Sequence, residues 1–224
     1  IQYLYTDFGA YGIRVVSIPF YATSSESQIQ YMINDAEVKY LFVGEQDQYD
    51  KAHRIFPLCP SLERIIIFDE SVRVSSHDPN AIYFEDFLRL GEGLPRQTEV
   101  EKRWAEANED DVCNILYTSG TTGASKGVIL NYRQYNAAII ANGKCVGVSD
   151  KDRAINFLPF THVFERGWSY LCLSVGAQLI INTYPKEIQD SMRETHPTCM
   201  SSVPRFWEKV YQAVKAKMDE ASGV

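Results

Sequence analysis

The sequence predicts an α/β fold, with largely parallel sheets flanked by helices. Three observations predict it. Short, near-continuous apolar runs recur along the chain, as in strands buried on both faces. Helix-like stretches separate these runs, the alternation that builds parallel sheets. The length of 224 residues, 45 % of them hydrophobic and 23 % charged, suffices for a substantial core.

The elements follow in order. Residues 1–11 read as a helix, with Gly12 as its stop. "RVVSIPF" (14–20) reads as a buried strand. In "TSSE", Thr23 and Glu26 have capping-box spacing just before "SQIQYMINDA". Ile29, Met32, Ile33 and Ala36 share one face of that helix. "KYLFV" (39–43) is the next strand, residues 46–56 a helix broken by Pro57 and Pro60, and "RIIIF" (64–68) a third strand. Residues 69–80 are polar and turn-rich, a loop, and 81–108 are charged and mostly helical. "VCNILYT" (112–118) and "GVIL" (127–130) are strands on either side of a glycine-rich loop. Asn131 can cap a helix over 132–142 that Gly143 ends. Then come a strand over 154–160, a helix over 165–175, a strand over 177–181, a helix over 185–195, a last strand in "PTCMSSVP", and an amphipathic helix over 205–218.

Composition excludes several classes. A net charge of −7 without a basic stripe argues against nucleic-acid binding. No apolar run is long enough to span a bilayer, and no signal peptide opens the sequence. Five cysteines are scattered and never form C-x-x-C, which favours buried thiols in a reducing, cytoplasmic compartment. The sequence starts inside a helix-like stretch without Met, as expected of a segment excised from a longer chain.

The densest chemistry lies in "ILYTSGTTGASKGVIL" (115–130). Three glycines, three threonines, two serines and one lysine fall between two apolar runs. From Thr118 to Gly127 no apolar residue is larger than Ala, so the loop cannot be core. Gly120, Gly123 and Gly127 let backbone amides approach a ligand. Ser119, Thr121 and Thr122 add hydroxyls, and Lys126 adds a cation; together they suit phosphate oxygens. Each hydrogen bond to a charged group contributes roughly 1.5–3 kcal/mol. The competing interpretation is a surface loop with turn glycines. The loop is not the nucleoside-triphosphatase P-loop, which needs Gly before Lys and Ser or Thr after it; here Ser125 precedes Lys126 and Gly127 follows.

"YTSGTTGASKGV" (117–128) resembles the phosphate-loop signature of the adenylate-forming enzymes: acyl-CoA synthetases, luciferases and peptide-synthetase adenylation domains. The family usually has Pro where this chain has Ser125, a change that removes no donor. It often has Thr-His where this chain has Asn131-Tyr132, so neither residue inherits a ligand role.

A second dense stretch is "FLPFTHVFERGWSY" (157–170). By its residues alone, His162 could be a base, a ligand or a structural histidine. His162 and Glu165 are three apart, but no partner motif completes a metal site. The stretch is similar to the family motif whose histidine and aromatics line the acyl pocket. Its "HVFER" form, with "PTCMSSVPRFWEKVY" (197–211) and the leading "GIRVVSIPFYATSSESQIQYMINDAEVKYLFV", looks like the long-chain fatty acid–CoA ligases. By position, His162 and Glu165 carry over as acyl-pocket residues, with Trp168 as a weaker gate candidate.

The resemblance implies a two-step reaction. A long-chain fatty acid carboxylate attacks the α-phosphate of Mg2+-ATP, giving acyl-AMP and pyrophosphate; the coenzyme A thiol then displaces AMP. Thr118, Ser119, Gly120, Thr121, Thr122, Gly123 and Lys126 would bind the β- and γ-phosphates. The family's Y-G-x-T-E and T-G-D motifs do not occur in this sequence. The catalytic lysine of the C-terminal domain is expected beyond Val224. Residues 1–224 thus match part of the family's large N-terminal domain, 1–108 as a leading region and 109–224 as the phosphate-loop and acyl-pocket region, and the isolated piece is expected to be inactive. Loading a carrier protein instead of coenzyme A, a non-catalytic nucleotide- or acyl-binding module, and a purely structural α/β domain remain as alternatives. Peripheral membrane contact stays open because long-chain substrates partition into bilayers.

Overall fold

A computed structural model describes residues 1–118 and 125–222. It is α/β, and it divides into two compact units, Ile1–Arg133 and Gln134–Val224.

The first unit opens with α1 (Gln2–Gly12), α2 (Glu26–Asp35), β1 (Tyr40–Val43) and α3 (Gln46–Ile55). It continues with β2 (Arg64–Ile67), β3 (Ala81–Tyr83), α4 (Phe84–Arg89) and α5 (Gln97–Glu106), and ends in β4 (Val112–Thr118) and β5 (Lys126–Asn131). Strands β1, β2 and β3 form a parallel sheet in that order. In β2, Ile65, Ile66 and Ile67 have no exposed surface, as the unbroken apolar run required. Ile65 and Ile67 join Ile33 of α2 and Tyr49, Ala52 and Ile55 of α3 in one core.

Several local expectations are corrected. The α2 capping box is formed by Ser25 and Gln28, not Thr23 and Glu26. Ser25 Oγ accepts from the Gln28 amide at 3.3 Å, and Gln28 Oε1 accepts from the Ser25 amide at 2.9 Å. Gly12 lies inside α1; the turn that ends the helix uses Arg14 at φ 60°. The guanidinium of Arg14 holds Asp111 with Nε and Nη2 at 2.8 and 3.0 Å, which supports that strained backbone. Residues 14–20 are not a buried strand. Val15 and Val16 are exposed, and only Ser17 makes a strand-like bridge, to Asn114. Pro19 has no amide with which to extend the ladder. Residues 81–83 are strand rather than helix, a piece too short to leave a sequence signal.

Strands β4 and β5 pair antiparallel, so the sheet that carries the glycine-rich loop is a hairpin. Its register sets Tyr117 opposite Gly127 and Thr118 opposite Lys126. A Cβ on Gly127 would lie 2.7 Å from Ile115 Cγ2 and 3.4 Å from the Tyr117 ring. The glycine is therefore a packing requirement, whatever the loop binds. Buried Asn114 ties β4 to α1: it accepts from Tyr11 Oη and donates to the Ser17 carbonyl, both at 2.9 Å. These bonds place residues 109–133 with the leading region of the chain.

The helix α6 (Tyr132–Val146) runs past Gly143 and ends before Gly147, which has φ 69°. Within the second unit follow β6 (Arg153–Asn156), α7 (Val163–Ser174), β7 (Gln178–Ile181), α8 (Ile188–Thr195), β8 (Cys199–Met200) and α9 (Pro204–Ser222). The sheet is parallel, in the order β7-β6-β8. Both β6 and β8 are shorter than expected: β6 ends at Asn156, ahead of Pro159, which has no amide to offer a ladder, and β8 is only Cys199–Met200. Residues 185–187 form a 3-10 turn that leads into α8.

Replacing Gly127 with Ala should overpack the hairpin and lower the unfolding free energy by about 1–3 kcal/mol. Urea denaturation of the two proteins measures it, and an unchanged midpoint would contradict the close passage described above.

Candidate functional site

The hairpin presents the first candidate group. Thr118 and Lys126 are the last cross-strand pair before the loop, and both are exposed. Thr118 Oγ1 donates to the Lys126 carbonyl at 3.5 Å, a long contact, which leaves the Lys126 ammonium to act separately. Ser119, Gly120, Thr121, Thr122 and Gly123 lie outside the described residues. Beneath the pair, Tyr117 Oη donates to Asp35 of α2 at 2.6 Å, and its ring meets Tyr31 edge-on at 6.4 Å. Burial, then the bond to Asp35, pushes the Tyr117 phenol well above its usual value, so it stays a neutral donor. Nothing in the sequence announced this strut, because its two ends are 82 residues apart.

The second candidate group lies in the unit that holds α7. His162 is the N-cap: its Nδ1 accepts from the Phe164 amide at 3.2 Å, which requires an unprotonated Nδ1. Its imidazole is otherwise exposed. Glu165, expected beside it in an acyl pocket, points the other way and has no exposed surface. Its carboxylate accepts from Asn156 Nδ2 at Oε1 and from Ser201 Oγ at Oε2, the latter at 2.7 Å. Asn156 Nδ2 also donates to Ser169 Oγ at 3.2 Å. Helical spacing explains the inward turn, since Glu165, Ser169 and Cys172 form one fully buried stripe. Arg166 is equally buried, donating to Tyr170 Oη at 2.7 Å and to the Phe160 carbonyl at 3.2 Å. Trp168 packs against Ala154, Cys172 and Ala177, and its buried Nε1 finds no partner among the described residues. Helix α7 therefore does not bring the three candidates to one surface; only His162 is exposed.

Among the described residues no group of three or more His, Cys, Asp or Glu could hold a metal ion. Cys59, Cys113 and Cys172 are buried free thiols, as expected, whereas Cys145 is exposed.

A model of the AMP-binding enzyme family matches residues 1–223. The chain belongs to that family. Among curated AMP-binding relatives, a long-chain-fatty-acid–CoA ligase of Xenopus laevis is 25 % identical over 224 residues, covering 96 % of this chain and 30 % of that protein. A long chain acyl-CoA synthetase of Arabidopsis thaliana is 26 % identical over 218 residues, covering 91 % of this chain and 31 % of that protein. The chain thus spans just under a third of the length of these relatives. Among solved structures, an anthranilate CoA ligase in complex with anthranoyl-AMP superposes with a TM-score of 0.75 at 21 % identity, over 89 % of this chain and 37 % of that one. A long-chain-fatty-acid–CoA ligase from Archaeoglobus fulgidus gives 0.71 at 18 % identity, over 96 % and 40 %. The fold is therefore that of part of the N-terminal domain of an adenylate-forming enzyme.

Burial raises the Glu165 carboxyl to about 7, against the opposing pull of its bonds from Ser201 and Asn156. Because the folded value lies above the unfolded one, the folded protein keeps a proton that the unfolded chain has already lost. This contribution to stability is complete below about pH 4.5 and is lost as pH rises through about 7. The stability of the wild type relative to Glu165→Gln should therefore fall between pH 5 and 7, by up to about 1.4 kcal/mol per pH unit. Urea denaturation at three pH values measures the difference, and parallel stability curves would refute it.

Proposed function

We propose that the chain is the phosphate-gripping part of an ATP-dependent long-chain fatty acid–CoA ligase. The observation that carries the proposal is the exposed Thr118–Lys126 pair at the mouth of a hairpin, inside the signature YTSGTTGASKGV. Membership of the AMP-binding enzymes supports ATP as substrate, and relatives named as long-chain acyl-CoA ligases support the fatty acid and coenzyme A.

In this proposal a fatty acid carboxylate oxygen attacks the α-phosphorus of ATP. The bond to the bridging oxygen breaks, and pyrophosphate leaves with the electron pair. The coenzyme A sulfur then attacks the acyl carbon of acyl-AMP and expels AMP. Residues 118–126 hold the β- and γ-phosphates, so Lys126 balances charge on the pyrophosphate as it departs. Magnesium would arrive with ATP, bound largely by phosphate oxygens and water, which needs no cage of protein carboxylates. His162, exposed beyond the carboxyl end of β6, is the acyl-pocket candidate that the geometry leaves accessible. The 224-residue chain alone, without the Y-G-x-T-E and T-G-D motifs, does not complete this chemistry. No helix among the described residues is long and apolar enough to cross a membrane.

The test is fatty-acid-dependent exchange of pyrophosphate into ATP by the full-length protein. Lys126→Ala should raise KM for ATP or lower kcat by about ten- to a hundredfold, the worth of one charged hydrogen bond. KM for the fatty acid should stay within about threefold. Wild-type exchange that survives Lys126→Ala unchanged would remove the phosphate role.

A further inference from the structure

The buried carboxyl of Glu165 has no task in the reaction proposed above, yet its setting is costly. A carboxyl without water must be fully hydrogen-bonded, and so must the buried Asn156 and Ser201 that face it, a demand that a wholly apolar core would not make. What an apolar side chain cannot do is fix direction.

The bonds of Glu165 are directional, and they converge on one edge of the sheet. Strands β6 and β8 pair through Ala154↔Cys199 and Ile155↔Met200, so Asn156 and Ser201 occupy the next position on each strand. Both donate to Glu165 of α7. The Asn156 carbonyl accepts from the Asn182 amide at 2.9 Å, which brings in the end of β7. One carboxyl thus joins the first turn of α7 to the points where the chain leaves β6 and β8. The segment leaving β6 leads directly to His162, and the one leaving β8 leads to α9. Loops at the carboxyl ends of parallel strands are where α/β folds place their substrates.

We infer that Glu165 is a positioning residue: through Asn156 and Ser201 it holds the two segments that leave the sheet, and with them the fatty-acid site, while touching no substrate itself. The inference rests on the function proposed above. Glutamine can keep the arrangement, its oxygen accepting from Asn156 and its NH2 donating to Ser201 Oγ, whereas methionine has similar length and neither bond.

The experiment measures fatty-acid-dependent pyrophosphate exchange and thermal unfolding for full-length wild type, Glu165→Gln, Glu165→Met and Ser201→Ala. Glu165→Met, which leaves the buried Asn156 and Ser201 donors without that acceptor, should unfold below the wild-type temperature and raise KM for a saturated long-chain fatty acid about tenfold, with KM for ATP unchanged. Glu165→Gln should restore KM to near wild type. Ser201→Ala, which removes one arm only, should raise it by a smaller factor, and it carries the test if the methionine variant does not fold. Folded variants that all keep the wild-type KM would overturn the inference, as would Glu165→Gln behaving like Glu165→Met. A wild type with no fatty-acid-dependent exchange would overturn the function itself, and that control separates the two failures.

Discussion

The passage of β5 across β4 at Gly127 is close enough that a single added methyl would meet Ile115 Cγ2 at 2.7 Å. In that register Thr118 faces Lys126 at the end of the hairpin from which the proposed phosphate loop departs. The hairpin is anchored on two sides. Tyr117 reaches Asp35 of α2, and Asn114 reaches Tyr11 and Ser17. A two-stranded ribbon is marginal by itself; these anchors hold the two strands that lead into and out of the loop proposed to bind the phosphates of ATP. Such preorganisation matters because charge neutralisation is most effective when its donors need not move at the moment of reaction.

The second unit meets a related demand by different means. Its parallel strands are short, and their carboxyl ends carry Asn156, Asn182 and Ser201, all nearly buried. Buried polar groups must be paired. Here they are paired with one another, with Glu165 and with Ser191, whose Oγ donates to Asn182 Oδ1 at 2.7 Å. The sheet edge from which the loops depart is thus held by polar bonds as well as by the apolar packing of Ala154, Cys172 and Ala177.

Much of this was legible in the sequence, and the rest was hidden for identifiable reasons. The helices of residues 26–35 and 46–55 and the strands at 40–43 and 64–67 follow from periodicity and apolar runs, which are local signals. The capping box slipped by two residues because Thr23, Ser24 and Ser25 all offer a hydroxyl, and only the backbone decides among them. Arg14 takes a left-handed conformation, two residues after a glycine that does not, and its guanidinium is held by Asp111, 97 residues away. The hairpin was read as two strands, but its antiparallel sense was not. In the candidate site, the phosphate-loop signature was plain from residue types alone. Glu165 was not: a glutamate in the first turn of a helix ordinarily faces solvent, favoured by the helix dipole. Here it lies on the buried stripe with Ser169 and Cys172, where Asn156 and Ser201, from strands on either side in sequence, supply its hydrogen bonds.

The central claim is that residues 118–126 grip the phosphates of ATP. Amide hydrogen exchange of the full-length protein, with and without Mg-ATP, tests it most directly. The account predicts that saturating Mg-ATP slows exchange in the peptide spanning β4, the loop and β5, and that Lys126→Ala weakens this protection. Protection elsewhere in the protein, with exchange in that peptide unchanged at saturating nucleotide, would contradict it.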